Sequence, residues 1–167
     1  MLDQTLFLCG SLCKNMAHHK VIEDAISQSQ TASVRGNVYR LEVGYPFFCA
    51  NGNLSIQGEL VTLKNKDVIW PLLDEFFAYK QDKAEKSLFI RDRIKVATDE
   101  TEQEAFFYGL NPLKIPKSAK PIANGDWRGD LAQNKPWTDL LTVEEAEYVK
   151  QLGKCTGRDI VPYTPLT

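Results

Sequence analysis

The sequence predicts an α+β domain. Three observations carry that expectation. Short β-like runs bounded by turn residues recur along the first two thirds of the chain, a few stretches carry an apolar rhythm of about 3.6 residues instead, and the two kinds do not alternate as regular βαβ units. At 167 residues the chain is long enough for one well-buried core and too short for two comfortable domains.

The β-like runs come first. Thr5–Cys9 ends at Gly10, and Ser33–Leu41 ends at Gly44-Tyr45-Pro46. Asn51-Gly52-Asn53 is a turn signal, after which Leu54–Leu63 reads as a strand. In Leu88–Ala97, Phe89, Arg91, Arg93 and Lys95 alternate with Leu88, Ile90, Ile94 and Val96, Asp92 being the exception; Glu104–Leu110 closes the set. Helical stretches interrupt these runs. Asn15–Gln28 has apolar residues at 16, 17, 21, 22, 25 and 26. Val68–Tyr79 is a second, with Asp67 as its N-cap and Pro71 tolerable in its first turn. Thr142–Leu152 is a third, opened by a Thr142/Glu145 capping box and stopped by Gly153. Residues 111–136, rich in Pro, Gly, Asn and Lys, read as a loop leading to that last helix.

Bulk properties narrow the partners. A hydrophobic fraction of 43% and a charged fraction of 25% are ordinary for a globular protein. A net charge of −2 offers no long-range attraction to nucleic acid or anionic membrane, so neither is expected as a partner. The most basic stretch, Lys114, Lys117 and Lys120, is interleaved with prolines and reads as a solvated loop. Cys9, Cys13, Cys49 and Cys155 make no disulfide framework in a chain of this size, and Leu6–Cys9 is too short an apolar run for a signal peptide or a membrane span. A reduced, cytoplasmic protein is the expectation.

Three groups of residues have chemical potential. Cys9-Gly10-Ser11-Leu12 is a strand end turning into a helix, where exposed backbone N–H groups hold a carboxylate or an oxyanion; an ordinary β-to-α turn needs the same glycine. Cys9 and Cys13 with His18 and His19 suggest a zinc site or a thiolate nucleophile, yet the spacing fits no common zinc pattern, and a buried cysteine with surface histidines explains it as well. Glu59, a lone charge in Gly58-Glu59-Leu60, either faces an apolar cavity with a raised pKa or points outward. Asp74 and Glu75 lie on an amphipathic helix. A Gly-rich phosphate loop, a G-x-S-x-G elbow and a paired C-x-x-C do not occur.

In order along the chain, these pieces resemble one family. Phe7-Leu8-Cys9-Gly10-Ser11-Leu12 is similar to the Tyr-Gly-Ser/Thr-Leu signature of γ-glutamylcyclotransferase-like (AIG2-like) proteins. Gly36 with Tyr39 and then Gly44-Tyr45-Pro46 resemble "G-x-L-Y … G-x-P", and Ile56–Leu60 resembles "V-x-G-E-L/V". Leu73-Asp74 looks like the start of "L-D-x-x-E-G", Phe89-Ile90-Arg91 like "Y-x-R", and Phe107-Tyr108 like the last strand's "x-Y". Ile122–Trp127 resembles the closing "I-x-x-G-D-W/Y". The resemblance covers residues 5–127.

It implies a mixed β-barrel flanked by helices over residues 1–127; residues 128–167 lie outside the resemblance and are expected to form a C-terminal extension carrying one helix packed on the same domain. It also implies a cavity at the signature turn and no metal or organic cofactor. Family enzymes release 5-oxoproline from γ-glutamyl compounds: the substrate's own α-amine attacks its γ-carbonyl while a carboxylate moves the proton. The implied ligand is a small γ-glutamyl or amino-acid compound, met by Cys9, Gly10, Ser11, Leu12, Tyr45, Phe77, Phe89 and Tyr108. Whether the chain forms a homo-oligomer stays open. Where the motif has its catalytic glutamate, this chain has Phe77, and Ala78 replaces the following glycine. On a helix Glu75 lies about 200° from Phe77 and Asp74 about 60°, so Asp74 and, from a neighbouring strand, Glu59 are the candidate catalytic carboxylates. The resemblance thus leaves two expectations: a barrel that binds a small ligand without the family's chemistry, or an enzyme with a relocated carboxylate.

Overall fold

The computed structural model describes residues 4–134. The expected helix at Thr142–Leu152, and most of the C-terminal extension, lie outside the described residues. The elements in order are β1 (Thr5–Leu8), β2 (Ile26–Arg40), β3 (Pro46–Leu63), α1 (Lys66–Phe76), β4 (Phe89–Ala97), β5 (Glu102–Leu110), β6 (Lys120–Pro121) and α2 (Trp127–Gln133).

The sheet runs β3-β1-β5-β4-β2-β6, and β2 also pairs with β3, so β1 to β5 close into a barrel with β6 appended to β2. β1 is antiparallel to β3, from Thr5↔Thr62 to Leu8↔Glu59, and parallel to β5 through Leu6↔Phe106 and Phe7↔Phe107, which makes the barrel mixed. All four residues of β1 are buried, which is why it reads as a continuous apolar run rather than an alternating one. The β2–β4 seam is thin: Ser33↔Ala97 is its one bridge pair. This is the α+β mixed barrel that the sequence and its resemblance predict.

Four local expectations change. Asn51-Gly52-Asn53 does not end a strand; β3 continues through it. Gly36 faces Leu54 while Asn37 faces Cys49, so residues 50–53 swell out without partners on β2. Asn37 Nδ2 donates to Asn51 Oδ1 at 3.3 Å, and Asn51 Nδ2 to the Tyr39 hydroxyl at 3.1 Å. A Cβ on Gly52 would come within 2.4 Å of the Asn37 amide, so the bulge needs glycine there.

The expected helix over Asn15–Gln28 is instead a series of turns, with short 3-10 turns at His19–Val21 and Glu23–Ala25. Asn15 takes φ +68°, which no helix accommodates, and Ile26 is drawn into β2 opposite Leu63. The apolar rhythm is real, but sheet pairing with β3 overrides it.

Helix α1 starts earlier and stops earlier than its pattern suggests. Asn65, not Asp67, caps it, through its carbonyl, which accepts from the Val68 and Ile69 amides at 2.9 and 3.1 Å. Pro71 lies in the second turn on the exposed side, where water can satisfy the Asp67 carbonyl it leaves without an N–H. Ile69, Leu73 and Phe77, spaced by four, form the buried face. The end is a Schellman motif: Ala78 sits at φ +52°, the Tyr79 amide donates to the Asp74 carbonyl at 2.8 Å, and the Ala78 amide donates to the Glu75 carbonyl at 3.1 Å.

Within the expected loop 111–136, the structure has β6 and α2. Asp126 caps α2 by accepting from the Gly129 amide at 3.0 Å. Trp127, almost wholly buried, donates its Nε1–H to the Gln57 carbonyl at 2.7 Å and so fastens α2 to β3.

Candidate functional site

The signature turn leaves β1 at Cys9. Gly10 takes φ +84°, and a Cβ there would lie 2.8 Å from the Pro46 carbonyl oxygen, so position 10 needs glycine on two counts. Beyond it the chain forms a tight coil in place of the helix expected from sequence. Cys13 N–H donates to Gly10 O at 3.1 Å, and His18 N–H to Ser11 O at 2.8 Å. The Ser11 and Leu12 amides have no hydrogen-bond partner among the described residues. Among the described residues two donors thus stay open at a buried turn, without help from a helix end.

Glu59 holds this turn from the neighbouring strand. Its two carboxylate oxygens accept from the Lys14 amide, each at 3.2 Å, and Arg128 Nη2 lies 3.8 Å away. The carboxylate faces the chain's own loop. On the other side of the coil His19 Nδ1 meets the Leu12 carbonyl at 2.9 Å, which places its proton on Nδ1 because a carbonyl only accepts.

The cysteine–histidine group does not assemble as a reactive centre. Burial pushes the Cys13 thiol up to about 12, with the Glu59 carboxylate adding to it. Burial, then neighbouring Cys13, raises the Cys9 thiol well above its ordinary value, with Arg128 opposing. Both therefore stay protonated near neutrality and are poor nucleophiles. Among the described residues, no three His, Cys, Asp or Glu side chains are grouped to hold a metal ion. His18 is not at the surface: it is fully buried, its ring 5.1 Å from Tyr45 and 5.6 Å from Phe76.

Phe77 emerges at the end of α1 into an aromatic stack. Its ring lies parallel to Tyr108, at 7° and 4.6 Å between centroids, and meets Phe89 edge-on at 5.6 Å. Phe76 touches it at 5.0 Å, so the stack continues through Phe76 and His18 to Tyr45 beside the signature turn. Phe77, Phe89 and Tyr108 are thus brought together; Cys9, Gly10, Ser11, Leu12 and Glu59 form a second group, joined to the first through His18. A hollow of about 510 Å³ lies elsewhere, lined by Arg40, Glu42, Gly44, Ser118 and Lys120 among others.

Asp74 is occupied. Its Oδ1 accepts from the Tyr108 hydroxyl at 2.6 Å, and Arg91 Nη1 reaches both of its oxygens, at 3.1 and 3.2 Å. The Arg91 guanidinium is flanked by Trp70 at 5.3 Å, Tyr79 at 5.6 Å and Phe106 at 5.8 Å. Burial and the Asp74 carboxylate push the Tyr108 hydroxyl well above the ordinary phenol range, so it remains a donor. Glu75 is exposed, as its position around the helix requires. Sequence reasoning misses Arg91 and Arg128 as site residues. The "Y-x-R" spacing is the available signal for Arg91; nothing local marks Arg128.

Comparison with known proteins accords with this geometry. The model of the family described as γ-glutamyl cyclotransferase, AIG2-like, matches residues 6–129. Among solved structures the chain is similar to YkqA from Bacillus subtilis, at 22% identity and a TM-score of 0.57 over 77% of this chain. It is also similar to c4763 of uropathogenic Escherichia coli, at 14% identity and a TM-score of 0.54 over 75% of this chain. The chain spans 40% of YkqA and 93% of c4763, and at these identities the likeness shows the fold. Among curated proteins none matches the sequence. The motifs that the family model matches, from the β1 turn to the start of α2, are the ones that fold into the barrel, the turn and the Asp74–Arg91–Tyr108 cluster, and the chain belongs to the γ-glutamyl cyclotransferase, AIG2-like family.

Proposed function

We propose that this chain is a binding member of the family: it receives a small γ-glutamyl or amino-acid compound at the Gly10–Leu12 turn and does not carry out the cyclotransferase reaction. The reading rests on the environment of Phe77. Aligned on Leu73-Asp74, the motif's proton-transferring carboxylate falls at position 77, where a phenyl ring stacks on Tyr108. A phenyl ring takes up no proton at any pH, and general acid–base catalysis of this kind is worth about 10²–10⁴-fold. The neighbouring carboxylate, Asp74, has both oxygens engaged by Arg91 and one also by Tyr108. The unpartnered Ser11 and Leu12 amides support the binding half of the proposal, since such donors suit a carboxylate.

A second reading is an active enzyme with a relocated carboxylate. Glu59 favours it by lying against the signature turn, although its oxygens accept from Lys14. Purified protein incubated with γ-glutamyl amines and dipeptides decides between the two by chromatography of 5-oxoproline. We expect no release above the uncatalysed rate, together with a thermal shift from glutamate or 5-oxoproline. Release that disappears with Glu59→Gln or Asp74→Asn establishes the second reading instead.

A further inference from the structure

We propose that Asn51 is a self-modification site: its side-chain amide is lost by ring closure onto the Gly52 nitrogen, helped by Asn37 and Tyr39. The sequence holds Asn-Gly twice, at 51–52 and at 124–125, each time preceded by alanine. Glycine after asparagine lets the backbone nitrogen reach the preceding side-chain carbonyl, because no Cβ obstructs the approach. The fold treats the two pairs differently.

Asn124-Gly125 is locked. The Gly125 amide donates to the Ile122 carbonyl at 2.9 Å, and Asn124 Oδ1 accepts from the Asp126 amide at 3.0 Å. Gly125 is buried at φ +74°, and a Cβ there would meet Ile56. Closing a ring requires breaking both hydrogen bonds and turning a buried residue. Asn51-Gly52 lies in the bulge, where none of residues 50–53 has a register partner on β2. Asn51 is exposed, so water reaches it.

The Asn51 side chain is also set between two groups that suit the reaction. Asn37 and Tyr39, two apart on β2, project from the same face of the strand. Asn37 Nδ2 donates at 3.3 Å to Asn51 Oδ1, the oxygen on which negative charge grows as the Gly52 nitrogen attacks Cγ. Asn51 Nδ2 donates to the Tyr39 hydroxyl at 3.1 Å while the amide is planar. Once Cγ is tetrahedral that nitrogen is a basic amine, and the same hydroxyl is placed to protonate it. The bond from Gly52 N to Cγ forms and the Cγ–Nδ2 bond breaks. The proton lost by the Gly52 nitrogen returns through solvent to Tyr39, and ammonia leaves. A water molecule then opens the succinimide at either carbonyl, giving aspartate or its β-linked isomer. The isomer adds a methylene to the main chain, which a stretch outside the ladder takes up without shifting the Gly36–Leu54 or Asn37–Cys49 pairs.

The test is peptide mapping of the full folded chain after incubation in mildly alkaline buffer, with chromatography and mass spectrometry separating amide, aspartate and β-linked forms. Deamidation at 51 is expected to run at least about tenfold faster than at 124, where two hydrogen bonds hold the pair. In concentrated urea the difference is expected to vanish, since both sites are then unfolded Ala-Asn-Gly segments. Tyr39→Phe and Asn37→Ala are each expected to slow the folded reaction by about threefold or more, the worth of a neutral hydrogen bond, and to leave the rate in urea unchanged. The wild-type comparison needs no substitution, so it stands even if a variant fails to fold. An Asn51 that reacts no faster than Asn124 in the folded chain overturns the proposal. So does a folded rate at 51 that neither substitution lowers.

Discussion

Replacing Ala78 by glycine is expected to stabilise the protein, and the sign is not obvious beforehand, because glycine normally weakens a folded chain. Ala78 occupies the left-handed region at φ +52°. For an L-residue with a Cβ that conformation costs roughly 1–2 kcal/mol. Glycine removes this cost but loses about 0.4–1 kcal/mol more backbone entropy on folding. Ala78 is exposed, so no buried contact is forfeited. The balance is a gain of about 0.5–1 kcal/mol, or a rise of about 2–3 °C in Tm for a chain of this length. Urea unfolding followed by circular dichroism measures it, with an unchanged m value showing that stability alone has moved. Glu75→Gly, at an exposed position inside α1, is the control and is expected to cost about 1 kcal/mol. If Ala78→Gly destabilises as Glu75→Gly does, position 78 is not left-handed, and the Schellman ending with its Tyr79-to-Asp74 bond is wrong.

Three further outcomes are expected. Phe77→Ala removes a buried ring stacked on Tyr108 and is expected to cost about 3–5 kcal/mol, read from the same urea titration. Arg91→Leu leaves the partly exposed Asp74 without its cation and is expected to cost about 1–3 kcal/mol, with less of that loss restored by Lys than a single point charge alone would suggest, since lysine cannot stack between Trp70 and Tyr79. The raised thiol of Cys13 gives a pH dependence: folded and unfolded chains bind the same proton below pH 9, but above it the unfolded thiol ionises first, so stability falls as pH rises from 9.0 toward about 12. Cys13→Ala is expected to flatten that fall, and the native Cys13 thiol to resist alkylation at pH 8.

The strands are legible because their signals are local. β1 is an unbroken apolar run ended by a glycine, and β4 alternates. The order of the motifs carries the fold further than any one of them, since the spacing from Gly10 to Trp127 reproduces a whole barrel. The stretch 15–28 misleads because helical rhythm is a property of the segment, while pairing with Leu63 and Thr62 is a property of residues nearly forty positions away. The bulge at 50–53 is half legible: Asn-Gly-Asn announces a departure from regular strand, but only the register with β2 tells a bulge from a turn. At the site, Asp74 reads as a free carboxylate because a helix position says nothing about Arg91 and Tyr108 on two other strands. His18 reads as a surface residue because its neighbours Tyr45 and Phe76 come from distant segments.

These placements change what retained motifs mean. Glu59 holds the Lys14 amide, Trp127 fastens α2 through the Gln57 carbonyl, and Asp126 caps α2. Asp74, Arg91 and Tyr108 tie α1 to β4 and β5. Each is a family motif residue with a structural task sufficient to keep it in a folded barrel, so its presence carries no information about catalysis. The turn at Ser11 and Leu12 is different. Its amides satisfy nothing among the described residues, and a buried amide without a partner costs about 1–3 kcal/mol. Among the described residues these two amides are left for a ligand to meet, and on them the proposed binding role rests.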